Sequence, residues 1–295
     1  MPSERGQATV EWLATMLLVG ALLAVGAGVL VDASWLPRTL QCALLARCPG
    51  QDGELHTVYG PELAALVREH APGIVFERGE PAQPVDFRSC RQLACALAGA
   101  PEPEAPVVFT HVVDRRAGGG SMYIQYWFYF PDSTYSPAAR GLARSVEDAR
   151  LGGTLAGRVV DAIAGHHEDD WEGFQLRVSP NGAVHVRATA HHGYAGRKQV
   201  VNVNEAPDFE VPVAGLRIRP PRSGAWTRST GWTRVSRGSH AGHIVDDPGG
   251  ERSIAARDLA LVPIEGLADA ERAVTFAITP PWRKPVYTDP ESPRT

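Results

Sequence analysis

Lysine is nearly absent from this chain: among its 29 basic residues only Lys198 and Lys284 are lysines, and the arginines are scattered rather than clustered. That pattern reads as coding bias, and with a net charge of −4 it leaves no electrostatic case for a nucleic-acid partner. No internal repeat is present. No Ser/His/Asp order and no cysteine-nucleophile motif stands out. Gly118-Gly119-Gly120 runs into a strand pattern instead of a helix start, which argues against a nucleotide site. Cysteine is sparse, with Cys42 close to Cys48 and Cys90 close to Cys95. Neither spacing matches a zinc motif. In an exported chain the four would form two disulfides, with three connectivities open.

What is abundant is turn-forming and apolar residue. The 295 residues are 44% hydrophobic and include 30 Gly and 24 Pro, enough for a sizeable core crossed by many strands. Residues 12–31 carry no charge and are long enough to span a bilayer as a helix. Arg5, the sole basic residue of the flank that leads into this span, favours an internal N-terminus with the bulk of the chain outside the cytoplasmic membrane. Gly20, Ala24 and Gly28 form a small-residue stripe on that span.

Beyond a tether at 34–60, Gly60-Pro61-Glu62 predicts the start of a short helix carrying Leu63, Leu66, Val67 and His70 on one side. Ile74-Val75-Phe76 reads as a strand, and the Pro- and Gly-rich stretch to Pro106 as an irregular cover stapled by the second cysteine pair. Val107–Val113 and Met122–Phe130 are strong strand patterns. The second is apolar on both faces, as in a central strand buried on each side, and ends at Pro131-Asp132. Residues 137–164 switch to helical spacing and predict a two-helix insertion. A last strand is expected to end at Ile278.

The informative stretch is His166-His167-Glu168-Asp169-Asp170-Trp171-Glu172, followed by Gly173-Phe174-Gln175-Leu176-Arg177-Val178. Alternation puts Glu172 on the same side as Phe174, Leu176 and Val178, so a carboxylate points toward a core, with Asp170 at the same parity and His167 in the preceding loop. A buried carboxylate is costly without a cation or several donors, and Glu168, Asp169, Asp170 and Glu172 repel one another. A solvated acidic loop accounts for the run of charge; the parity of Glu172 favours a metal. Six of the ten histidines form close pairs (His166/His167, His191/His192, His240/His243) near strand ends, which suggests one shared polar cleft.

Two resemblances attach to these residues. Gly6, Glu11 and Trp12 occupy the positions of the class III signal of Flp-type pilins and TadE-like pseudopilins, which implies cleavage after Gly6 and retention of the apolar helix. Tyr126-Trp127-Phe128-Tyr129-Phe130-Pro131-Asp132, His167-Glu168-Asp169-Asp170-Trp171-Glu172 and Arg237-Gly238-Ser239-His240-Ala241 together resemble, in order, motifs of the necrosis-inducing protein family and its vacuolar-protein-sorting-62-like relatives, over roughly residues 70–290.

The second resemblance implies a β-sandwich holding a divalent cation at one end, with Asp132, His167, Asp170 and Glu172 as ligands and His192 and His240 beside them. Such a donor set suits Mg²⁺, Ca²⁺ or Mn²⁺ better than Zn²⁺. Toxins of that family engage plant sphingolipid headgroups through the site; here residues 133–166 intervene between the first two ligands and an apolar segment precedes the domain. The expected organisation is a signal and membrane helix at 1–33, the tether, and a mainly β domain at 61–290 with its helical insertion. The expected activity is metal-dependent recognition of a glycan or lipid headgroup at the cell surface rather than catalysis. A metal-dependent ester or phosphoester hydrolase with His192 or His240 as base is the alternative from the same residues, and a minor pseudopilin of a tight-adherence pilus is the one from the N-terminus.

Overall fold

The computed structural model describes residues 53–100, 105–134, 167–190, 193–195 and 226–292, all within one unit, Gly50–Thr295. The signal at Gly6 and Glu11, the membrane segment, Cys42 and Cys48, the insertion at 137–164 and His192 lie outside these residues. Among the described residues no helix is long and apolar enough to cross a membrane.

In chain order the regular elements are α1 (Gly53–Glu69), β1 (Gly73–Phe76), α2 (Leu93–Ala96), β2 (Val107–Asp114), β3 (Met122–Ser133), β4 (His167–Val178), β5 (Val184–Ala190), β6 (Gly193–Ala195), β7 (Thr227–Arg228), β8 (Trp232–Val235), β9 (Gly242–Ile244), β10 (Ser253–Ile254), β11 (Ala260–Pro263), α3 (Asp269–Arg272) and α4 (Pro285–Thr288). They form a mainly β domain with two mixed sheets. The smaller has the order β10-β1-β8-β9, with β1 parallel to β8. The larger has the order β11-β2-β3-β4-β5-β6, with β7 also on β5 and β11 parallel to β2.

All twelve residues of β3 are buried, as its two-sided apolar pattern predicts. Tyr126, Phe128 and Phe130 join Ile74, Phe76, Val235 and Ile244 of the smaller sheet in one core cluster. Trp127 and Tyr129 face the other way, into a second cluster with Phe87, Trp171, Val286 and the half-buried Phe276 and Trp282. Loops and short helices thus cover the face of the large sheet that the small sheet leaves open.

Three boundaries differ from the sequence expectation. The first helix begins at Gly53 instead of Gly60, because Gly60 (φ 74) and Pro61 break one helical stretch into two and both parts bury apolar residues, Leu55 before the break and Val67 after it. Strand β3 passes through Pro131 to Ser133: the ladder pairs Phe130 with Asp170, omits Pro131 and Asp169, and resumes with Asp132 opposite Glu168. His167 is accordingly the first residue of β4, not a loop residue. No strand ends at Ile278; Val274, Phe276 and Ile278 alternate because they pack on the second cluster, not because they pair in a ladder.

The sheets meet closely where β9 seats on β5. A Cβ at Gly242 would lie 2.9 Å from the Ala188 Cβ and 3.2 Å from the Thr189 carbonyl oxygen. Gly242→Val therefore overpacks the contact and is expected to cost about 1–3 kcal/mol. Urea unfolding checks it, and an unchanged midpoint would show that the two sheets have room to part.

Candidate functional site: a buried carboxylate cluster at the β3–β4 end

Directly opposed residues on neighbouring strands share a face, as do residues two apart on one strand. Glu172 is opposite Phe128, Asp170 opposite Phe130, and Asp132 opposite Glu168. Asp132, Asp170 and Glu172 therefore all lie on the inner face, at relative exposures of 4%, 3% and 4%. The parity expected for Glu172 holds, with Phe174 and Leu176 in the inner core beside it.

Glu172 and Asp170 each have a side-chain partner. The Gly173 N–H donates to Thr189 Oγ1 at 2.5 Å, and the Thr189 hydroxyl in turn donates to Glu172. The strand is tightly packed at Gly173, where a Cβ would lie 3.0 Å from the Trp127 ring and 3.2 Å from the Thr189 methyl. Burial, reinforced by the neighbouring Asp170, pushes the Glu172 carboxyl well above the usual carboxylate range. Asp170 Oδ2 lies 2.9 Å from His240 Nδ1.

His240 comes from the β8–β9 turn with φ 55, is fully buried, and stacks on Phe130 at 3.9 Å between ring centroids. Its Nε2 is 3.8 Å from Glu80 Oε1. Glu80 also accepts the N–H groups of Ala82 at 2.8 Å and Gly238 at 2.5 Å, which fixes the turn carrying the histidine. Burial pulls His240 down, but Asp170 and Glu80 outweigh it and raise its pKa to about 9. Burial likewise pushes Glu80 up, and His240 with the two backbone donors brings it down to about 2. His240 is therefore an imidazolium at neutral pH, a counter-ion between two carboxylates.

A second cation lies near. Burial lowers the Lys284 ammonium and the charges of Glu172 and Asp170 act against it; its Nζ is 3.5 Å from the Trp171 carbonyl and 5.2 Å from the centre of the Trp127 ring. Neither Glu80 nor Lys284 is evident as a site residue in the sequence. Glu80 carries no motif. Lys284 had one signal, its rarity in an arginine-rich chain, which composition alone explains as coding bias.

His167 stands opposite Ser133 and is half-buried. Its Nδ1 is 3.1 Å from both the Glu168 and the Asp169 carbonyl oxygens. Two acceptors on one nitrogen put the proton there, which leaves the lone pair of the neutral ring on Nε2, the form that can ligate a metal.

The four acidic side chains of the run do not meet: Glu168 is exposed, and Asp169 faces the outer layer. Alternation divides the run between two faces, with the exposed Glu168 at the head of β4, and Arg91 takes the charge of Asp169 at 2.9 Å. Of the paired histidines, His167 and His240 reach this end of the sheet, His243 is half-buried on β9, and His166, His191 and His192 lie outside the described residues. Cys90 and Cys95 are bonded to each other.

Among the described residues no group of three or more His, Cys, Asp or Glu stands ready to hold a metal ion: Asp170 is turned to His240 and Glu172 to Thr189. The donor chemistry nonetheless suits a hard divalent cation, with three buried carboxylates and an imidazole whose lone pair sits on Nε2. A cation would relieve the like-charge conflict between Asp170 and Glu172.

Neither a protein-family model nor a curated protein sequence matches the chain. In fold it is similar to solved structures of necrosis-inducing-like toxins. These include NLPPya in complex with glucosamine, 16% identical at a TM-score of 0.37, with 74% of this chain and 83% of that one covered. NLPPya in complex with mannosamine is likewise 16% identical, at a TM-score of 0.36 with the same coverage. A structure described as a toxin fold for microbial attack and plant defense is 16% identical at 0.37, covering 74% of this chain and 82% of that one. Similarity at this level fixes neither a ligand nor a site residue.

Proposed function

We propose that the domain binds a hydroxyl-rich ligand, a glycan or the sugar headgroup of a lipid, through a divalent cation held by Asp132, Asp170 and Glu172 with His167. The observation that carries this reading is the placement of three buried carboxylates on one face at the adjoining ends of β3 and β4. Water and vicinal hydroxyls suit the remaining coordination positions of Mg²⁺, Ca²⁺ or Mn²⁺.

Hydrolysis with His240 as the base is the weaker reading, since His240 keeps its proton at neutral pH, and the other candidate base, His192, lies outside the described residues. Anchoring in the cytoplasmic membrane through residues 12–31 with the domain outside, and assembly into a tight-adherence pilus after cleavage behind Gly6, belong to the same proposal and rest on the sequence.

The test uses the full chain in detergent: Mn²⁺ uptake by metal analysis, then binding to a glycan panel that includes glucosamine and mannosamine, with and without chelator. Binding that appears with metal and disappears with chelator is expected. Metal-independent binding would end the cation reading, and turnover of an ester or phosphoester panel would replace it with the hydrolase.

A further inference from the structure

Asp169 is the member of the acidic run that neither reaches the inner face nor meets water. Its residue is 3% exposed, and its carboxylate accepts the Tyr129 hydroxyl at 2.6 Å, Arg91 Nη2 at 2.9 Å and the Ala277 N–H at 2.8 Å. Those donors come from β3, from the loop closed by Cys90–Cys95, and from the extended segment that follows α3. Three separate pieces of the outer layer thus converge on one side chain.

A clamped aspartate is ordinarily a packing device. The backbone adds more here: Asp169 has φ 54, a conformation that for a residue with a Cβ costs on the order of 1–3 kcal/mol unless its surroundings impose it. The residue across the ladder is Pro131, which has no N–H to offer. The carbonyl of Asp169 lies instead 3.1 Å from His167 Nδ1.

We infer that Asp169 is the positioning residue of the cation site: its clamp holds the left-handed turn at the head of β4, aims its carbonyl at His167 Nδ1, and thereby sets which imidazole nitrogen carries the lone pair and where Asp170 enters the inner face. This rests on the cation-binding reading above. Orienting groups of this kind typically change metal affinity about 10–100-fold when removed.

The test compares wild type, Asp169→Ala, Asp169→Gly and Tyr129→Phe in the full chain by three measurements: Mn²⁺ titration, thermal unfolding without metal, and ¹⁵N NMR of the His167 ring at pH 8 without metal. Wild type shows the Nδ1–H tautomer. Asp169→Ala loses that preference and binds Mn²⁺ roughly 10-fold more weakly or worse. Asp169→Gly unfolds at a lower temperature yet stays within about threefold of wild-type affinity, since glycine adopts the left-handed conformation freely. Tyr129→Phe, which removes one donor and keeps the ring, falls between and covers the case in which Asp169→Ala does not fold. Wild-type Mn²⁺ affinity in both Asp169→Ala and Tyr129→Phe, with only unfolding temperatures lowered, overturns the inference and leaves a structural clamp. Wild type that takes up no Mn²⁺ ends the cation reading itself; the positioning of His167 then stands or falls on whether its tautomer changes in Asp169→Ala.

Discussion

Asp170→Ala, measured without metal at pH 5.5, is expected to lower the free energy of unfolding by about 3–5 kcal/mol, the usual cost of deleting one partner from a buried ion pair. The remaining partner is His240, fully buried, with Nε2 3.8 Å from Glu80 and Nδ1 deprived of the bond to Asp170. Asp170→Asn keeps an acceptor at that nitrogen and loses only the charge, so its cost should be smaller.

The pH profile separates this account from a simple cavity. His240 is raised from an ordinary 6.5 to about 9 in the folded protein, so its contribution is complete below about 6.5 and is lost as the pH rises through 9. Glu80 is lowered from 4.5 to about 2, so its contribution is present above about 4.5 and is lost as the pH falls through 2. The pair is fully effective between those limits. Glu172, raised from 4.5 by burial and by Asp170, adds a decline that sets in above 4.5 and continues as the pH rises, because ionising it costs the folded state more than the unfolded one. Urea unfolding at pH 5.5, 7 and 9 should show wild type losing stability toward pH 9 and Asp170→Ala much flatter. A loss under 1 kcal/mol, or parallel profiles, would mean that His240 is not held as an ion.

Trp171→Ala is the second large effect, expected at about 3–5 kcal/mol. Its ring is the centre of the outer layer, with centroids 5.0 Å from Tyr129, 5.4 Å from Phe109, 5.7 Å from Phe87 and 5.6 Å from both Phe276 and Trp282. Phe276 and Trp282 sit on chain that has no strand partner, and Trp171 is one of the rings that hold them, together with Phe87 and, for Phe276, Tyr129. Truncation should therefore bring protease sensitivity around residues 273–283 together with the fall in stability. Trp171→Phe should be much milder, since the indole N–H it removes is buried with no hydrogen-bond partner among the described residues. A Trp171→Ala protein with the wild-type urea midpoint would show that the aromatic layer closes over the gap.

The two-sided burial of β3 and the inward aim of Glu172 were legible in the sequence for one reason: both follow from the period of a strand, which is local. Period says which face a residue occupies and nothing about what waits there. Asp169 illustrates the limit. Its parity was readable, but that the outer face offers Arg91, Tyr129 and the Ala277 amide depends on a disulfide-closed loop and on an irregular segment far along the chain. Glu80 and Lys284 reach the site from outside any regular strand, where no pattern marks them. The strand expected at Ile278 failed in the opposite sense, since aromatic packing imposes the same alternation as a hydrogen-bonded ladder.

The two parallel pairings set the order in which this domain can be made. Ile74 lies opposite Thr233 and Val108 opposite Leu261, so strands from the first half of the chain wait for partners from the last third. Until residues near 260 have been synthesised, β2 keeps an unpaired edge and β3 emerges with aromatics on both faces and only one layer to cover them. Loop closure on that scale is slow relative to local pairing. A nascent chain stalled short of β11 therefore exposes the β2 edge even where β2 to β5 have paired, and the domain is complete only when the final quarter has been released.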